Sequence, residues 1–220
     1  RITTSMPYAD MRDYLGALER EGLLRRIAVE VDKDWEISAV TKRIFQRLPE
    51  ARRPGVIFER VKGYSIPVVV GILGASPDVY AMALECSPNK FHLKWRNAFR
   101  KPLPPKTIST GACKQQVLSG DAADLNTLPI PYWTVGQDPE PFITAAQVVS
   151  VDPQSGQPNV GTYRLQVKGP RRTGLFVAPN HGMARHMAHN EAAGKDTPVA
   201  IVLGSEPCCA LTAASQVPPD

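Results

Sequence analysis

The chain has 220 residues, of which 43% are hydrophobic and 21% are charged, as is ordinary for a globular protein of one or two domains. Its 26 Lys and Arg against 21 Asp and Glu give a net charge of +5, spread over short clusters without a zinc-finger spacing or an aromatic RNA-binding motif. This pattern argues against a nucleic-acid partner. No signal peptide and no apolar run near ~20 residues occur, so we expect a cytoplasmic protein without a membrane span.

Residues 1–106 predict an α/β unit. Apolar residues at helical spacing indicate helices over residues 8–21, 34–48, 77–84 and 90–99. Gly22 is the expected C-cap of the first helix and Asp34 the expected N-cap of the second. Runs rich in Val and Ile indicate strands over residues 24–31, 55–61 and 67–73. No motif with catalytic spacing falls in this unit, so we expect it to be mainly scaffold.

Residues 107–220 follow a proline-rich linker and predict mainly strands. The predicted ranges are 114–118, 143–152, 159–168, 174–178 and 199–203, which favours a barrel or an open sheet. The long loop over residues 119–141 is expected to be functional or to cover another part of the molecule. His186 and His189 follow His181 at helical spacing, which predicts a short helix in which these two histidines are structural.

The segment 159–187 contains most of the polar residues that could take part in binding or catalysis. Within residues 160–168, Thr162, Arg164 and Gln166 share one face of the predicted strand, and Tyr163, Leu165 and Val167 share the other. The apolar face is expected to pack on a core while the polar face lines a cavity. An arginine in that place needs an anion if it is buried, whereas a surface arginine is an equally good interpretation of Arg164.

Asn159 and His181 stand at the outer ends of the two strands predicted over residues 159–168 and 174–178. If these strands pair as a hairpin, the two side chains come close together. An amide oxygen and a neutral imidazole are both ligands for Mn²⁺ or Mg²⁺, but a carboxylate or a ligand phosphate must complete the shell. The alternative is that Asn159 caps a turn after Pro158 and that His181 is an ordinary loop histidine.

No catalytic signature of the GxSxG, HExxH, Walker or GxGxxG type occurs. Three stretches, however, resemble the UbiD-type decarboxylases, which use prenylated FMN: MRDYLGALEREGLLRRI, GDAADLNTLPIPYWTVGQDPEPFITAAQVVSVDPQSGQPNVGTYRLQVKG and NHGMARH. The resemblance covers essentially the whole chain. It implies an α+β protein with an N-terminal α/β unit over residues 1–106, followed by a flavin-binding split β-barrel over residues 107–220 that is incomplete in this chain.

The resemblance also implies roles for individual residues. Asn159 and His181 would be ligands of a divalent metal, usually Mn²⁺ with Mg²⁺ as the alternative, that bridges the protein and the cofactor phosphate; K⁺ is an optional further ion. Arg164 would be the catalytic residue that holds the substrate carboxylate. The residues that would line the prenylated FMN are Thr162, Tyr163, Arg164, Val177, Ala178, Pro179, Gly182 and Met183.

The implied reaction is the reversible non-oxidative decarboxylation of an aromatic or α,β-unsaturated carboxylic acid. A flavin prenyltransferase would supply the cofactor, and a homo-oligomer, dimeric or larger, is the family's usual assembly. Members of the family are much longer than this chain, and their third metal ligand, a glutamate, and their proton-transfer acids lie beyond residue 220. We therefore expect a fragment that is inactive by itself. The alternatives are a non-catalytic flavin-binding or subunit-interaction module, and a basic scaffold that shares only the fold.

Overall fold

The computed structural model describes residues 8–100 and 104–215. The helices are α1 (Met11–Arg20), α2 (Glu36–Arg47), α3 (Pro77–Ala83), α4 (Phe91–Arg100), α5 (Gly182–Ala192) and α6 (Pro207–Ala213). The strands are β1 (Leu24–Val31), β2 (Gly55–Val61), β3 (Val68–Val70), β4 (Phe142–Ile143), β5 (Gln147–Val151), β6 (Pro158–Thr162), β7 (Leu165–Gly169), β8 (Arg172–Leu175) and β9 (Val199–Val202). The described part contains no helix with the length and apolar character that a membrane crossing requires.

The N-terminal sheet has the strand order β1-β2-β3, with β1 and β2 parallel and β2 and β3 antiparallel. Alternate residues of β2 point to opposite faces, so Ile57 packs with α1 and α3 while Val56 and Phe58 pack with α2. Tyr14 of α1 is fully buried, and its hydroxyl lies 2.6 Å from the carbonyl oxygen of Ile72. Helices therefore cover both faces of this sheet, as expected for a parallel β-strand pair.

The C-terminal half contains two three-stranded antiparallel sheets, ordered β4-β7-β8 and β6-β5-β9. The chain passes from one sheet to the other three times: between β4 and β5, at Tyr163-Arg164 between β6 and β7, and through α5 between β8 and β9. The strands predicted over residues 143–152 and 159–168 are therefore each divided in two. Among the described residues the strands form no closed barrel.

Three other expectations were wrong in detail. Residues 114–118 form no strand: a 3₁₀ turn covers Ala112–Lys114, and Val117 is exposed. Asp34 does not cap α2, because the N-cap is Trp35 and the Glu36 carboxylate instead accepts a hydrogen bond from the Asp32 backbone N–H. The strand predicted over residues 67–73 is reduced to Val68–Val70.

Contacts from helix α6 and from the long loop join the C-terminal half to the N-terminal unit. The Cys208 thiol of α6 donates a hydrogen bond to the Ala83 carbonyl oxygen at 3.2 Å, and Leu211 packs against the cluster beneath α1. In the loop over residues 119–141, Trp133 packs against the cluster beneath α2, and its indole N–H donates to the Phe142 carbonyl oxygen. The long loop therefore contacts the N-terminal unit through Trp133, which agrees with one of the two alternatives expected for it.

Candidate functional site

The candidate site lies where helix α5 begins. Helix α5 packs on the hairpin formed by β5 and β6, in which Asn159 stands directly opposite Ser150. A side chain at Gly182, the first residue of α5, would overlap the Asn159 carboxamide. The absence of a Cβ at Gly182 thus lets Asn159 lie against the first turn of the helix.

This arrangement brings Asn159 next to the residue that follows His181, but not by the hairpin that the sequence predicted. Strand β8 pairs with β7, whereas Asn159 belongs to β6 in the other sheet. Asn159 therefore meets the His181–Gly182 corner because α5 returns across the β5–β6 hairpin. The Asn159 side-chain nitrogen is buried and has no hydrogen-bond partner among the described residues.

His181 is held by contacts on two sides. Its Nδ1 accepts a hydrogen bond from the Ala178 backbone N–H at 3.1 Å, and its own backbone N–H donates to the Ala178 carbonyl oxygen at 2.9 Å. The Tyr163 ring meets the imidazole edge to face, with the ring centroids 5.3 Å apart. Because Nδ1 accepts, the neutral imidazole carries its proton on Nε2.

The site is suited to an anionic group. The first turn of a helix leaves backbone N–H groups without intrahelical partners, and the helix dipole favours negative charge there. The Asn159 amide nitrogen, which has no hydrogen-bond partner among the described residues, lies beside this turn. A phosphate is the kind of ligand that such an arrangement binds.

The same two residues fit a divalent metal as two of its ligands. Rotation of the Asn159 amide by half a turn places an oxygen where the unpaired nitrogen lies. His181 can ligate only in exchange for the Ala178 hydrogen bond, which occupies its free lone pair. The described ranges contain no group of three or more His, Cys, Asp or Glu side chains that could hold a metal.

Arg164 lies at the junction of β6 and β7. Its side chain is exposed, and the guanidinium carbon lies 5.5 Å from the centroid of the Phe142 ring. The ion pairs formed by the described residues do not include Arg164. Its guanidinium is therefore available to an external anion, steadied on one side by an aromatic face.

The alternation predicted for residues 160–168 is present, although the expected cavity lies on the other face. Thr162 and Arg164 are exposed, while Tyr163, Leu165 and Val167 are buried. An open cleft of about 440 Å³ lies between α5, β7, β8 and β9, and its lining includes Leu165, Val177 and Met183 but neither Thr162 nor Arg164.

The residues predicted to line the cofactor thus fall into separate surroundings. Tyr163 and Met183 belong to one buried cluster, and Met183 also reaches the 440 Å³ cleft with Val177. Ala178 is half-buried beside His181, and Pro179 and Gly182 are exposed near the start of α5. The structure brings Tyr163, Ala178 and Gly182 to the His181 corner and leaves Thr162 and Arg164 on the outer side of the β6–β7 junction.

Sequence reasoning named His186 and His189 but not their partners beneath α5, Ser150 and Asp152. His186 Nδ1 lies 2.9 Å from the Ser150 hydroxyl, and His189 Nδ1 lies 2.9 Å from an Asp152 carboxylate oxygen. Both histidines are thus structural, as the sequence predicted. Their partners could have been found from spacing, because Ser150 and Asp152 share one face of a strand and precede a helix with two histidines.

The pKa values of this polar group respond to its surroundings. The Gln154 backbone N–H and then His189 stabilise the Asp152 carboxylate and lower its pKa. Burial lowers the pKa of His186, because the interior disfavours the charged ring. His186 is therefore favoured as a neutral hydrogen-bonding partner of Ser150.

Comparison with known proteins assigns a family to this architecture. The model of the 3-octaprenyl-4-hydroxybenzoate carboxy-lyase Rift-related domain matches residues 106–220, and that of the corresponding N-terminal domain matches residues 15–98. The chain belongs to the UbiD family. The resemblance noted in the sequence is thereby confirmed.

Two curated relatives are 33% identical to this UbiD-family chain. One is an uncharacterized protein of Synechocystis; the alignment is 236 positions long and covers 96% of this chain and 46% of the relative. The other is a phenolic acid decarboxylase of Sedimentibacter hydroxybenzoicus, aligned over 221 residues that cover 96% of this chain and 45% of the relative. The chain spans about half the length of the curated relatives that it matches.

Solved structures of UbiD-class enzymes are similar over the same extent. HmfF from Pelotomaculum thermopropionicum, in complex with FMN, superposes with a TM-score of 0.85 at 32% identity and covers 95% of this chain and 45% of that enzyme. An evolved dimeric form of HmfF in complex with prFMN gives 0.80 at 33% identity, covering 90% and 44%. The vanillic acid decarboxylase of Sedimentibacter hydroxybenzoicus in its closed form gives 0.86 at 31% identity, covering 96% and 46%. The expected mixed helix and sheet fold is thereby confirmed.

Proposed function

We propose that this protein takes part in the reversible non-oxidative decarboxylation of an aromatic or α,β-unsaturated carboxylic acid with prenylated FMN. The family assignment and the similarity to a phenolic acid decarboxylase support the reaction class. The similarity to enzyme structures in complex with FMN and prFMN supports the cofactor. The observation that carries the proposal for this chain is the unpaired Asn159 amide against the first turn of α5, beside His181.

Asn159 and His181 are the residues that would hold the phosphate end of the cofactor, through Mn²⁺ or Mg²⁺, with K⁺ as an optional further ion. An amide oxygen and an imidazole suit these divalent ions, and the α5 N-terminus favours the negative charge of the phosphate. The first turn of α5 can come close to a ligand because Gly182 has no side chain. The prenylated flavin, when bound, supplies an electron sink for the electrons left by departing CO₂.

Arg164 is the proposed catalytic residue. Its guanidinium is outside the ion pairs of the described residues, so a carboxylate of the substrate can be bound in the two-pronged geometry that arginine favours. The Phe142 ring restricts where the guanidinium can lie and thus orients the bound carboxylate. Loss of CO₂ removes the negative charge that Arg164 binds, so the remaining product is held less tightly.

The remaining features of the proposal rest on membership of the UbiD family. Residues 107–220 would bind the flavin, and residues 1–106 would act as a scaffold packed beside them. The proposed surroundings are the cytoplasm, with a flavin prenyltransferase as the source of the cofactor and a homo-oligomer as the assembly. Thr162, Tyr163, Val177, Ala178, Pro179, Gly182 and Met183 would contribute to the flavin surroundings.

One observation favours a second candidate, a non-catalytic flavin-binding or subunit-interaction module. Strand β9 is exposed along its whole length, with Val199, Ile201 and Val202 accessible. Apolar residues on an exposed strand are typical of surfaces covered by another segment or subunit.

The test uses the protein as its gene encodes it, co-expressed with a flavin prenyltransferase. We expect visible flavin absorbance, bound Mn²⁺ and CO₂ release from at least one member of a panel of phenolic, heteroaromatic and acrylic acids. Arg164→Ala should lower kcat/KM by about 10- to 100-fold with flavin retained, because a charge-assisted contact to the substrate is lost. Arg164→Lys keeps the positive charge but cannot form the two-pronged contact, so its kcat/KM should lie between those of wild type and Arg164→Ala.

The outcomes separate the candidates. Asn159→Ala combined with His181→Ala should reduce bound metal and flavin together, whereas Arg164→Ala should not. Flavin binding without turnover on any acid would replace the proposed reaction by the binding module. Absence of both flavin and Mn²⁺ from the natively produced protein would contradict both candidates and leave a scaffold.

A further inference from the structure

Helix α5 is seated on the β5–β6 hairpin through three successive contacts. Gly182 lies against Asn159, His186 lies 2.9 Å from the Ser150 hydroxyl, and His189 lies 2.9 Å from Asp152. Residues 182, 186 and 189 are spaced by four and three, so they form one stripe along the helix. The hairpin presents the matching row, because Ser150 lies in β5, Asp152 directly follows this strand, and Asn159 stands opposite Ser150.

The middle contact is the most deeply buried of the three. Ser150 and His186 are each only 1% exposed, so neither group can exchange its partner for water. The neighbouring Asn190 donates its side-chain N–H to the His186 carbonyl oxygen, also in the interior. A buried polar pair of this kind costs free energy when it is broken, because the remaining group is left unsatisfied.

The consequence concerns the distance between Asn159 and His181. Ser150 is the cross-strand partner of Asn159, and His186 is on the same helix as the His181 corner, little more than one turn further along. Apolar packing allows a helix to slide over a sheet by a fraction of a turn, whereas a hydrogen bond between two particular atoms does not. The Ser150–His186 bond therefore sets where the first turn of α5 lies relative to Asn159.

We propose that Ser150 and His186 are positioning residues that hold the His181–Gly182 corner against Asn159. The Asp152–His189 pair fixes the same helix to the same hairpin about one turn further along. This inference rests on the proposed function in taking Asn159 and His181 as the residues that hold the metal and the phosphate. Neither Ser150 nor His186 touches the ligand. They act through the strand and the helix that carry the binding residues.

The variants are chosen to separate the hydrogen bond from the volume of the side chain. Ser150→Ala removes the hydroxyl, and His186→Phe keeps a ring of similar shape without the nitrogen. His186→Asn restores a hydrogen-bonding atom close to the position of Nδ1. Tyr14→Phe is the matched control, because it removes a buried hydroxyl in the N-terminal core, where Tyr14 bonds the Ile72 carbonyl oxygen.

The first measurement needs no metal. Amide hydrogen exchange is followed at Ala184, whose N–H donates to the His181 carbonyl oxygen in the first turn of α5, in the natively produced protein without added Mn²⁺. We expect faster exchange there in Ser150→Ala and His186→Phe, near wild-type exchange in His186→Asn, and no change in Tyr14→Phe. Unchanged exchange at the first turn in both Ser150→Ala and His186→Phe would overturn the proposal.

The second measurement is Mn²⁺ affinity at a temperature at which all variants are folded. We expect about 10-fold weaker binding in Ser150→Ala and in His186→Phe, as for other groups that orient metal ligands, and no further loss in the double variant. His186→Asn should recover most of the affinity, and Tyr14→Phe should bind as wild type despite a lower melting temperature. Equal Mn²⁺ affinity in wild type and both single variants would reduce the pair to a structural contact and overturn the inference.

The two measurements also distinguish this inference from the proposed function. If the wild-type protein binds no Mn²⁺, the proposed role of Asn159 and His181 is contradicted, while the exchange data still decide whether Ser150 and His186 hold the corner in place. If wild type binds Mn²⁺ and the variants bind it equally well, the function stands and the positioning role fails.

Discussion

The Tyr163 ring stands edge-on to the His181 imidazole, with centroids 5.3 Å apart and planes at 67°. Tyr163 is only 7% exposed and belongs to the buried cluster that includes Leu165 and Met183. Its ring also occupies the space that a side chain at Gly161 would need. Tyr163 therefore supports His181 from the core, in addition to any contact with the flavin that the family resemblance implies.

This support predicts a difference between two substitutions at Tyr163. Tyr163→Ala should lower the free energy of unfolding by about 3–5 kcal/mol, because it removes a buried ring and leaves a cavity. Tyr163→Phe keeps the ring against His181 and should change the free energy by less than about 1.5 kcal/mol. Urea unfolding of both variants checks this. A loss in Tyr163→Phe as large as that in Tyr163→Ala would show that the hydroxyl, not the ring, matters.

Gly161 provides a second test of the same packing. An added methyl group in Gly161→Ala would overlap the Tyr163 ring, so we expect a loss of about 1–3 kcal/mol from overpacking and weaker binding of Mn²⁺. Gly74→Ala is the matched control, because an added Cβ there meets no atom within 4 Å. Thermal unfolding of the two variants should differ clearly. Equal melting temperatures would mean that Tyr163 moves away without cost.

Most N-terminal elements could be predicted because their signals are local. The strands over 24–31 and 55–61 agree with the structure, and the apolar stripes that indicated α1 and α2 do face the core. The alternation in residues 160–168 was also predicted well, because burial of Tyr163, Leu165 and Val167 follows from a period of two residues.

The division of strands between two sheets could not be predicted in this way. Residues 159–168 read as one continuous strand, since the pattern of alternation runs unbroken through Tyr163 and Arg164. The change of sheet depends on pairing with distant segments, β5 for β6 and both β4 and β8 for β7. For the same reason the proximity of Asn159 to the His181 corner was predicted from an incorrect hairpin and arises instead from the path of α5.

If His181 binds a metal, the hydrogen bond that it accepts from the Ala178 backbone N–H should be lost. The Ala178 N–H donates to His181 Nδ1. A metal on Nδ1 displaces this bond, and a metal on Nε2 moves the ring proton to Nδ1, which then cannot accept. We therefore expect the Ala178 amide to exchange its hydrogen faster with saturating Mn²⁺ than without it, by at least several-fold.

His181→Ala is the control for this prediction. In that variant the Ala178 amide should exchange fast whether or not Mn²⁺ is present, because the imidazole acceptor is gone. Exchange at Ala178 that stays slow in a wild-type protein with stoichiometric bound metal would show that His181 is not a ligand.

The ionised Asp152 carboxylate should make the free energy of unfolding depend on pH in the acid range. The Gln154 backbone N–H and His189 lower the pKa of the folded carboxyl below its unfolded value, so the charged form stabilises the fold above about pH 4 and that contribution is lost as the pH falls further. Asp152→Asn should therefore be less stable than wild type at pH 7, and the difference should shrink between about pH 5 and pH 2. Asp121→Asn is the control, because that carboxylate pairs with Arg171 on the exposed surface and should change stability little. Denaturant titrations at several pH values measure the difference, and a gap that persists undiminished at pH 2 would assign the effect of Asp152→Asn to packing rather than to charge.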